Sequence, residues 1–233
     1  MVSGSLNAEG LTQRALLQQA TQSLQQVGCE SPRLDAEVLW QHLSGQSRVD
    51  MIIRAHDAVS PELAQRYQTW LARRQLREPV AYITGEKEFW SRTFNVSEAT
   101  LIPRPETEHI IEWALATFPD PQQNWCFADV GTGSGCIAVT LACEFPHATI
   151  IASDISVAAL QVAQTNARRH GVEDRVLFVA ADLLSATAAA SFDAVLSNPP
   201  YVTKEEMNEL KQELSYEPTE ALTDHSDGLC CMR

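Results

Sequence analysis

The sequence has 233 residues, of which 45% are hydrophobic and 20% charged, and its formal net charge is −13. This is ordinary globular composition, which excludes a disordered or fibrous protein. No run of 18 apolar residues is present and the first ten residues lack the pattern of a secretory signal, so we expect no membrane span and no export. Most of the negative charge lies after residue 90, and the chain has only three lysines. Tight, non-specific binding to nucleic acid is therefore not expected.

The six cysteines do not form a Cys-x-x-Cys pair, and no histidines cluster near them. The pattern thus indicates neither a disulfide framework nor a zinc site, and we predict no bound metal. It favours a cytoplasmic protein with reduced thiols. The cysteines are Cys29, Cys126, Cys136, Cys143, Cys230 and Cys231.

The first part of the chain, residues 1–78, is predicted to be a small helical bundle. Apolar residues recur at three- and four-residue spacing through residues 11–77, which gathers them on one face of each helix. Ser31-Pro32 and Ser60-Pro61 each supply a capping residue followed by a first-turn proline.

Residues 79–104 interrupt the helical period. Pro79, Gly85 and the alternation of Phe94 and Val96 predict a hairpin or extended linker. A short amphipathic helix follows Pro105, with its apolar residues on one side.

Residues 105–233 are predicted to form an α/β domain. Short apolar runs at 125–130, 148–153, 176–180 and 192–197 alternate with helical segments at 135–144 and 157–170. That alternation implies right-handed crossovers and a mainly parallel sheet covered by helices.

A glycine-rich segment follows the first of these strands directly. It consists of Gly131, Thr132, Gly133, Ser134 and Gly135. Glycines at alternate positions let the backbone turn sharply and approach a ligand, which then meets the free N–H groups of a helix start. A turn without a ligand is the alternative, but the strand–turn–helix context favours a site. The spacing differs from Gly-x-Gly-x-x-Gly, which disfavours a dinucleotide.

Acidic residues follow the next two strands at the same sheet edge. Asp154 is placed to accept hydrogen bonds from both hydroxyls of a ribose, although an N-cap role in the following helix is the alternative. Asp182 is placed to accept from the amine of an adenine, with Leu183 against the ring; helix capping is again the alternative. Three consecutive strand ends therefore indicate an adenosine nucleoside with no phosphate requirement.

The fourth strand ends in the most specific motif of the chain, Asn198, Pro199, Pro200 and Tyr201. The two prolines cannot donate ladder hydrogen bonds, and they stiffen the backbone. The Asn198 side-chain oxygen and the Pro199 carbonyl are two rigid acceptors, suited to hold both hydrogens of a planar NH2 group. Tyr201 can stack on that plane. A plain strand terminator would explain the prolines but not the amide and the aromatic ring.

Together, these motifs resemble class I methyltransferases, which use S-adenosylmethionine and methylate planar nitrogens. Two further segments, with the helical N-terminal region, narrow the resemblance to the peptide chain release factor glutamine methyltransferases (the PrmC/HemK family). Those segments are Ala81–Gly85 with Glu88–Trp90, and Leu101–Glu108. The ribosomal-protein glutamine methyltransferases are similar but diverge after the Pro-Arg pair.

The resemblance covers about residues 11–228 and implies a Rossmann-like methyltransferase fold with S-adenosyl-L-methionine as cofactor. It implies methyl transfer to the side-chain amide nitrogen of the glutamine in the Gly-Gly-Gln motif of release factors. The glycine segment, Asp154, Asp182 and Leu183 would bind the cofactor, with Asn198 shared between cofactor and substrate. The N-terminal bundle would help to hold the release factor, with no direct binding of nucleic acid or membrane.

The similarity fails after about Leu229, where the family's catalytic domain continues with a helix and further strands. We therefore expect an incomplete sheet in a truncated member, with an unpaired apolar edge at 192–196. Two other functions stay open at this point. One is an exocyclic-amine methyltransferase acting on DNA or RNA, and the other is an inactive remnant.

Overall fold

The computed structural model describes residues 11–182, 192–203 and 212–223. The chain divides into two compact units, Met1–Thr84 and Gly85–Arg233. Within the described residues, no helix has both the length and the apolar character needed to cross a membrane.

The described part of the first unit is helical, which confirms the predicted helices. Its core gathers large buried side chains such as Leu24, Trp40 and Tyr67. Ser60 caps its helix by accepting a hydrogen bond from the Leu63 N–H. The helices are α1 (Gln13–Gln26), α2 (Pro32–Ser44), α3 (Arg48–Ile53), α4 (Pro61–Gln75) and α5 (Val80–Thr84).

Two local predictions in this unit need correction, and one helix was not resolved from the sequence. Ser31 stands at the N-cap of α2, but its side chain makes no capping bond, because its backbone is not in the usual extended conformation. The short helix α3 was not predicted separately; it starts from a capping box between Ser47 and Asp50. The segment after Pro79 is helical rather than extended, since burial of Tyr82 and Ile83 stabilises one turn there.

The second unit begins with the hairpin that the sequence predicts. Strands β1 (Glu86–Phe89) and β2 (Arg92–Asn95) pair antiparallel. Trp90 and Ser91 form the turn with φ values of 52° and 56°. Those values match the two-residue hairpin turn that usually requires Asn-Gly.

A four-stranded parallel sheet forms the centre of the described second unit, as predicted. Its order is β5-β4-β3-β6, so β6 lies at the edge of the sheet that the structure describes. In β6, Ala194 and Leu196 are buried while Val195 is exposed, which is the alternation of a half-buried strand. The strands are β3 (Cys126–Val130), β4 (Thr149–Asp154), β5 (Val176–Ala180) and β6 (Ala194–Ser197).

Helices α6 (Glu108–Thr117), α7 (Cys136–Glu144) and α8 (Val157–Arg169) accompany this sheet. Helix α7 is buried almost throughout, which is consistent with its continuous apolar sequence. Two 3₁₀ turns, Pro105–Thr107 and Gln212–Tyr216, and a short helix α9 (Thr219–Leu222) complete the described elements.

Candidate cofactor pocket and acceptor site

The register of the sheet brings three of the predicted motifs to one edge. Val130, the last residue of β3, pairs with Ser153 on one side and with Ser197 on the other. The Ser197 hydroxyl also donates to the Val130 carbonyl at 2.7 Å. Val130 and Ser197 are the last paired residues of β3 and β6. The residues that follow them, Gly131 and Asn198, therefore lie side by side at the carboxyl edge of the sheet.

In Gly131–Gly135, here called the glycine loop, the glycines serve two different purposes. Gly131 and Gly133 have φ values of 70° and 54°, and a Cβ added at either would meet no atom closer than 4.0 Å. Both line a cavity, so the missing side chains leave room for a ligand. Gly135, with φ of 79°, differs, because a Cβ there would approach the Ala163 Cβ to 3.0 Å. It is required for packing against α8.

Asp129, the residue before the end of β3, binds the glycine loop and the start of α7. It is fully buried, and its Oδ2 accepts hydrogen bonds from the Thr132 hydroxyl at 2.6 Å and from the Ala138 N–H at 3.1 Å. Its Oδ1 has no partner among the described residues. Burial raises the pKa of Asp129 to about 6, although the two hydrogen bonds favour the ionised form.

Asp154 lies in the cavity wall and orders the backbone on both sides of it. Its Oδ2 accepts from the Gly133 N–H at 2.9 Å, and its Oδ1 accepts from the Ser156 N–H at 2.8 Å. The N-cap of α8 is Ser156, whose hydroxyl accepts from the Ala159 N–H. Asp154 is therefore not the cap, and a carboxylate has lone pairs left after two hydrogen bonds.

Two further nucleoside contacts were predicted after β5, and the structure describes one of them, Asp182. Asp182 is exposed and lines the same cavity as Asp154. Leu183 lies outside the described residues, so its expected contact with the adenine stays a prediction.

Asn198 lines the cavity and is oriented by a neighbour that the sequence analysis did not single out. Its Nδ2 donates to the hydroxyl of Thr107 at 3.4 Å, a long hydrogen bond to a buried residue. This contact leaves the Asn198 Oδ1 as the acceptor for a ligand. Pro200 also lines the cavity, whereas Pro199 and Tyr201 are not part of its described lining, and Tyr201 is 61% exposed.

The cavity has a volume of about 460 Å³, within the range of about 300–1,000 Å³ typical of small-molecule sites. Four carboxylates line it, and its described lining has no lysine or arginine. Burial raises the pKa of the Cys136 thiol in the wall to about 12, so the thiol adds no charge. The open glycine positions leave room for a nucleoside, and the carboxylates favour one that carries positive charge. The carboxylates belong to Glu98, Asp154, Asp182 and Glu220.

Two further buried residues support this site and were not found from the sequence. Glu217 accepts hydrogen bonds from Arg104 and from the Ile102 N–H, close to the Pro218–Ala221 part of the wall. Asn166, on α8, bonds to the carbonyl of Ser134 in the glycine loop. The sequence offers one indication of Asn166: it is a polar residue at a position where the helical period of α8 predicts an apolar one.

Comparison with known proteins identifies two families along the chain. Residues 15–85 match the PrmC N-terminal domain, and residues 113–228 match the methyltransferase small domain. A release factor glutamine methyltransferase of Nitratidesulfovibrio vulgaris is 42% identical over 94% of this chain and 74% of its own length.

Two more relatives carry the same name. That of Neisseria gonorrhoeae is 42% identical over 87% of this chain and 73% of its own length. That of Moorella thermoacetica is 39% identical over 96% of this chain and 78% of its own length. The fold class and the S-adenosyl-L-methionine dependence predicted from the sequence are thereby confirmed. The chain belongs to the release factor glutamine methyltransferase family of S-adenosylmethionine-dependent methyltransferases.

Proposed function

We propose that this protein transfers a methyl group to the side-chain amide nitrogen of the glutamine in the Gly-Gly-Gln motif of peptide chain release factors. The observation that carries the proposal is the orientation of Asn198: its Nδ2 donates to the Thr107 hydroxyl, and within the described residues its Oδ1 has no hydrogen bond and stays available as an acceptor in the cavity wall. The relatives are named release factor glutamine methyltransferases, which supports this choice of substrate.

In this proposal the cofactor lies on the glycine loop, with its ribose at Asp154 and its adenine at Asp182 and Leu183. When bound, S-adenosylmethionine supplies an electrophilic methyl group on a sulfonium centre. The open Cβ positions of Gly131 and Gly133 and the acid-lined wall support this placement. Ile155, 62% exposed beside Asp154 in the same wall, offers an apolar surface to a base.

An amide nitrogen is a poor nucleophile because its lone pair is delocalised into the carbonyl group. The Asn198 Oδ1 and the Pro199 carbonyl would accept one hydrogen each from the glutamine NH2, which orients the nitrogen and increases its electron density. The same two oxygens would stabilise the positive charge that develops on the nitrogen. Pro200 would restrict the backbone that carries the Pro199 carbonyl, and Tyr201 would cover the plane of the amide.

No general base is required in this scheme. Once methylated, the nitrogen is strongly acidic, and its extra proton leaves to water. The contribution of the protein is then in-line positioning together with stabilisation of developing charge.

The experiment is incubation of the full chain with methyl-labelled S-adenosylmethionine and a purified release factor. We expect label on the wild-type factor and none on a variant whose Gly-Gly-Gln glutamine is replaced by alanine. Parallel reactions with DNA and RNA test the exocyclic-amine alternative, which the net charge of −13 disfavours. Label on nucleic acid alone, or label nowhere, would overturn the proposal.

A further inference from the structure

Asn166, in α8, is a fully buried amide that bonds to two separate segments of the second unit. Its Oδ1 accepts from the Asn95 N–H at 2.7 Å, and its Nδ2 donates to the Asn95 carbonyl at 2.9 Å. The Nδ2 also donates to the Ser134 carbonyl at 2.8 Å. One side chain therefore joins the end of strand β2 to the glycine loop.

An asparagine is an unfavourable residue at this buried position of α8 unless its amide makes these hydrogen bonds. The other buried residues of α8 are all apolar: Ala159, Leu160, Ala163 and Ala167. Asparagine is a weaker helix former than alanine, and a buried amide costs free energy unless it is hydrogen-bonded. Here the amide oxygen and the amide nitrogen are both engaged, so the cost of burial is offset by contacts with backbone.

Helix α8 holds the glycine loop at a second point less than one turn away. The close approach of Gly135 to Ala163 leaves no space for a side chain. The Ser134 carbonyl belongs to the peptide that joins Ser134 to Gly135, the N-cap of α7. Asn166 and Ala163 together therefore fix the orientation of the peptide at which the loop becomes helix.

We infer that Asn166 is a positioning residue that holds the glycine loop in its cofactor-binding conformation and couples the loop to the β1–β2 hairpin. The inference rests on the proposed placement of the cofactor at the glycine loop and is independent of the methyl acceptor. Loss of the amide removes the Asn166 bond to the Ser134 carbonyl and so weakens the hold on the Ser134–Gly135 peptide, whose N–H still donates to the Thr132 carbonyl at 2.8 Å.

The first test measures the Kd of S-adenosylhomocysteine for the full chain with Asn166→Asp and Asn166→Leu. Asn166→Asp keeps the size and an acceptor but removes the donating NH2, while Asn166→Leu fits the apolar stripe. We expect the Kd to rise at least about tenfold in both variants, because both lose the buried hydrogen bond to the Ser134 carbonyl of the glycine loop.

The matched control is Phe145→Leu, a core substitution at the opposite end of α7. All variants are compared at temperatures where circular dichroism shows them folded. We expect the control to keep its Kd within about twofold of the wild-type value, as for a change of stability alone. Wild-type affinity in the Asn166 variants, or an equal loss in Phe145→Leu, would overturn the inference.

The second test uses the wild-type protein and so does not depend on folding of a variant. Backbone hydrogen exchange is followed with and without S-adenosylhomocysteine. Because Asn166 links the two segments, we expect the ligand to slow exchange of the Asn95 amide as well as that of the glycine loop. Protection confined to the glycine loop would contradict the coupling.

Gly133→Val separates this inference from the placement of the cofactor, because Gly133 lines the cavity. If folded Gly133→Val loses S-adenosylhomocysteine binding while folded Asn166 variants keep it, the inference fails and the placement stands. If Gly133→Val binds like the wild type, the placement fails and the inference fails with it.

Discussion

Arg104 and Glu217 form an ion pair, with 2.5 Å between Nη2 and Oε1, although 113 residues separate them in the chain. The Glu217 side chain is only 2% exposed, and its Oε2 accepts from the Ile102 N–H at 3.1 Å. The pair joins the segment before α6 to the segment that contributes Pro218 to the cavity wall. One side of the candidate site thus depends on a buried carboxylate whose partner lies far away in sequence.

The first prediction concerns this pair. Arg104→Met leaves the Glu217 carboxylate buried without its cation, so we expect the free energy of unfolding to fall by about 2 kcal/mol or more. Urea denaturation measures the change. The control is Arg33→Met, which removes an ion pair whose arginine is 80% exposed and should cost less than about 1 kcal/mol. An equal effect of the two substitutions would contradict the structural importance of the Arg104–Glu217 pair.

The second prediction separates the two roles of the end of strand β4. Asp154→Asn replaces one acceptor oxygen by an NH2 group, so only one of the Gly133 and Ser156 N–H groups keeps its acceptor and the negative charge proposed to face the ribose is lost. We expect the Kd of S-adenosylhomocysteine to rise at least about tenfold by isothermal titration calorimetry.

Ser156→Ala is the control for Asp154→Asn. It removes only the cap of α8, which should lower stability by about 1 kcal/mol with little change in Kd. If both variants bind equally well, Asp154 has no role in the cofactor site.

The third prediction is a pH dependence of stability that arises from Asp129. Its pKa is about 6 in the folded protein and near 3.8 when unfolded. Between these values the folded state holds a proton that the unfolded state has lost, so stability falls as pH rises from about 4 to about 6. Asp129→Asn cannot ionise. We therefore expect the wild type to lose stability relative to this variant across that interval, as measured by urea denaturation at each pH. A constant difference between the two would contradict the raised pKa.

The sheet and the position of the site follow from local sequence patterns. Apolar runs such as 148–153 predict strands, and parallel pairing then brings the residues after them, Asp154 and Asn198 among them, to one edge. These features depend on residue period and chain direction, which a sequence displays directly. The hairpin followed likewise from a break in the helical period before Phe94.

The contacts that orient the site could not be predicted in the same way. Thr107 and Asn198 are 91 residues apart, and the Glu217 and Asn166 contacts also join distant segments. No local pattern specifies such partners, because they depend on how completed elements pack. Ser31 shows the converse, since its local signal for a helix cap is clear while its actual backbone prevents the capping bond.

The role of Asn198 is tested by Asn198→Ala, assayed for methyl transfer to a release factor and for cofactor binding. We expect kcat to fall about 100-fold or more while the Kd of S-adenosylhomocysteine changes by less than about threefold, because Asn198 acts mainly on the acceptor amide. The control is Asn124→Ala. Asn124 is exposed and precedes the start of β3, the end of the strand that is away from the cavity, so both values should stay unchanged. Methyl transfer by Asn198→Ala at the wild-type rate would show that the Asn198 amide does not hold the acceptor nitrogen.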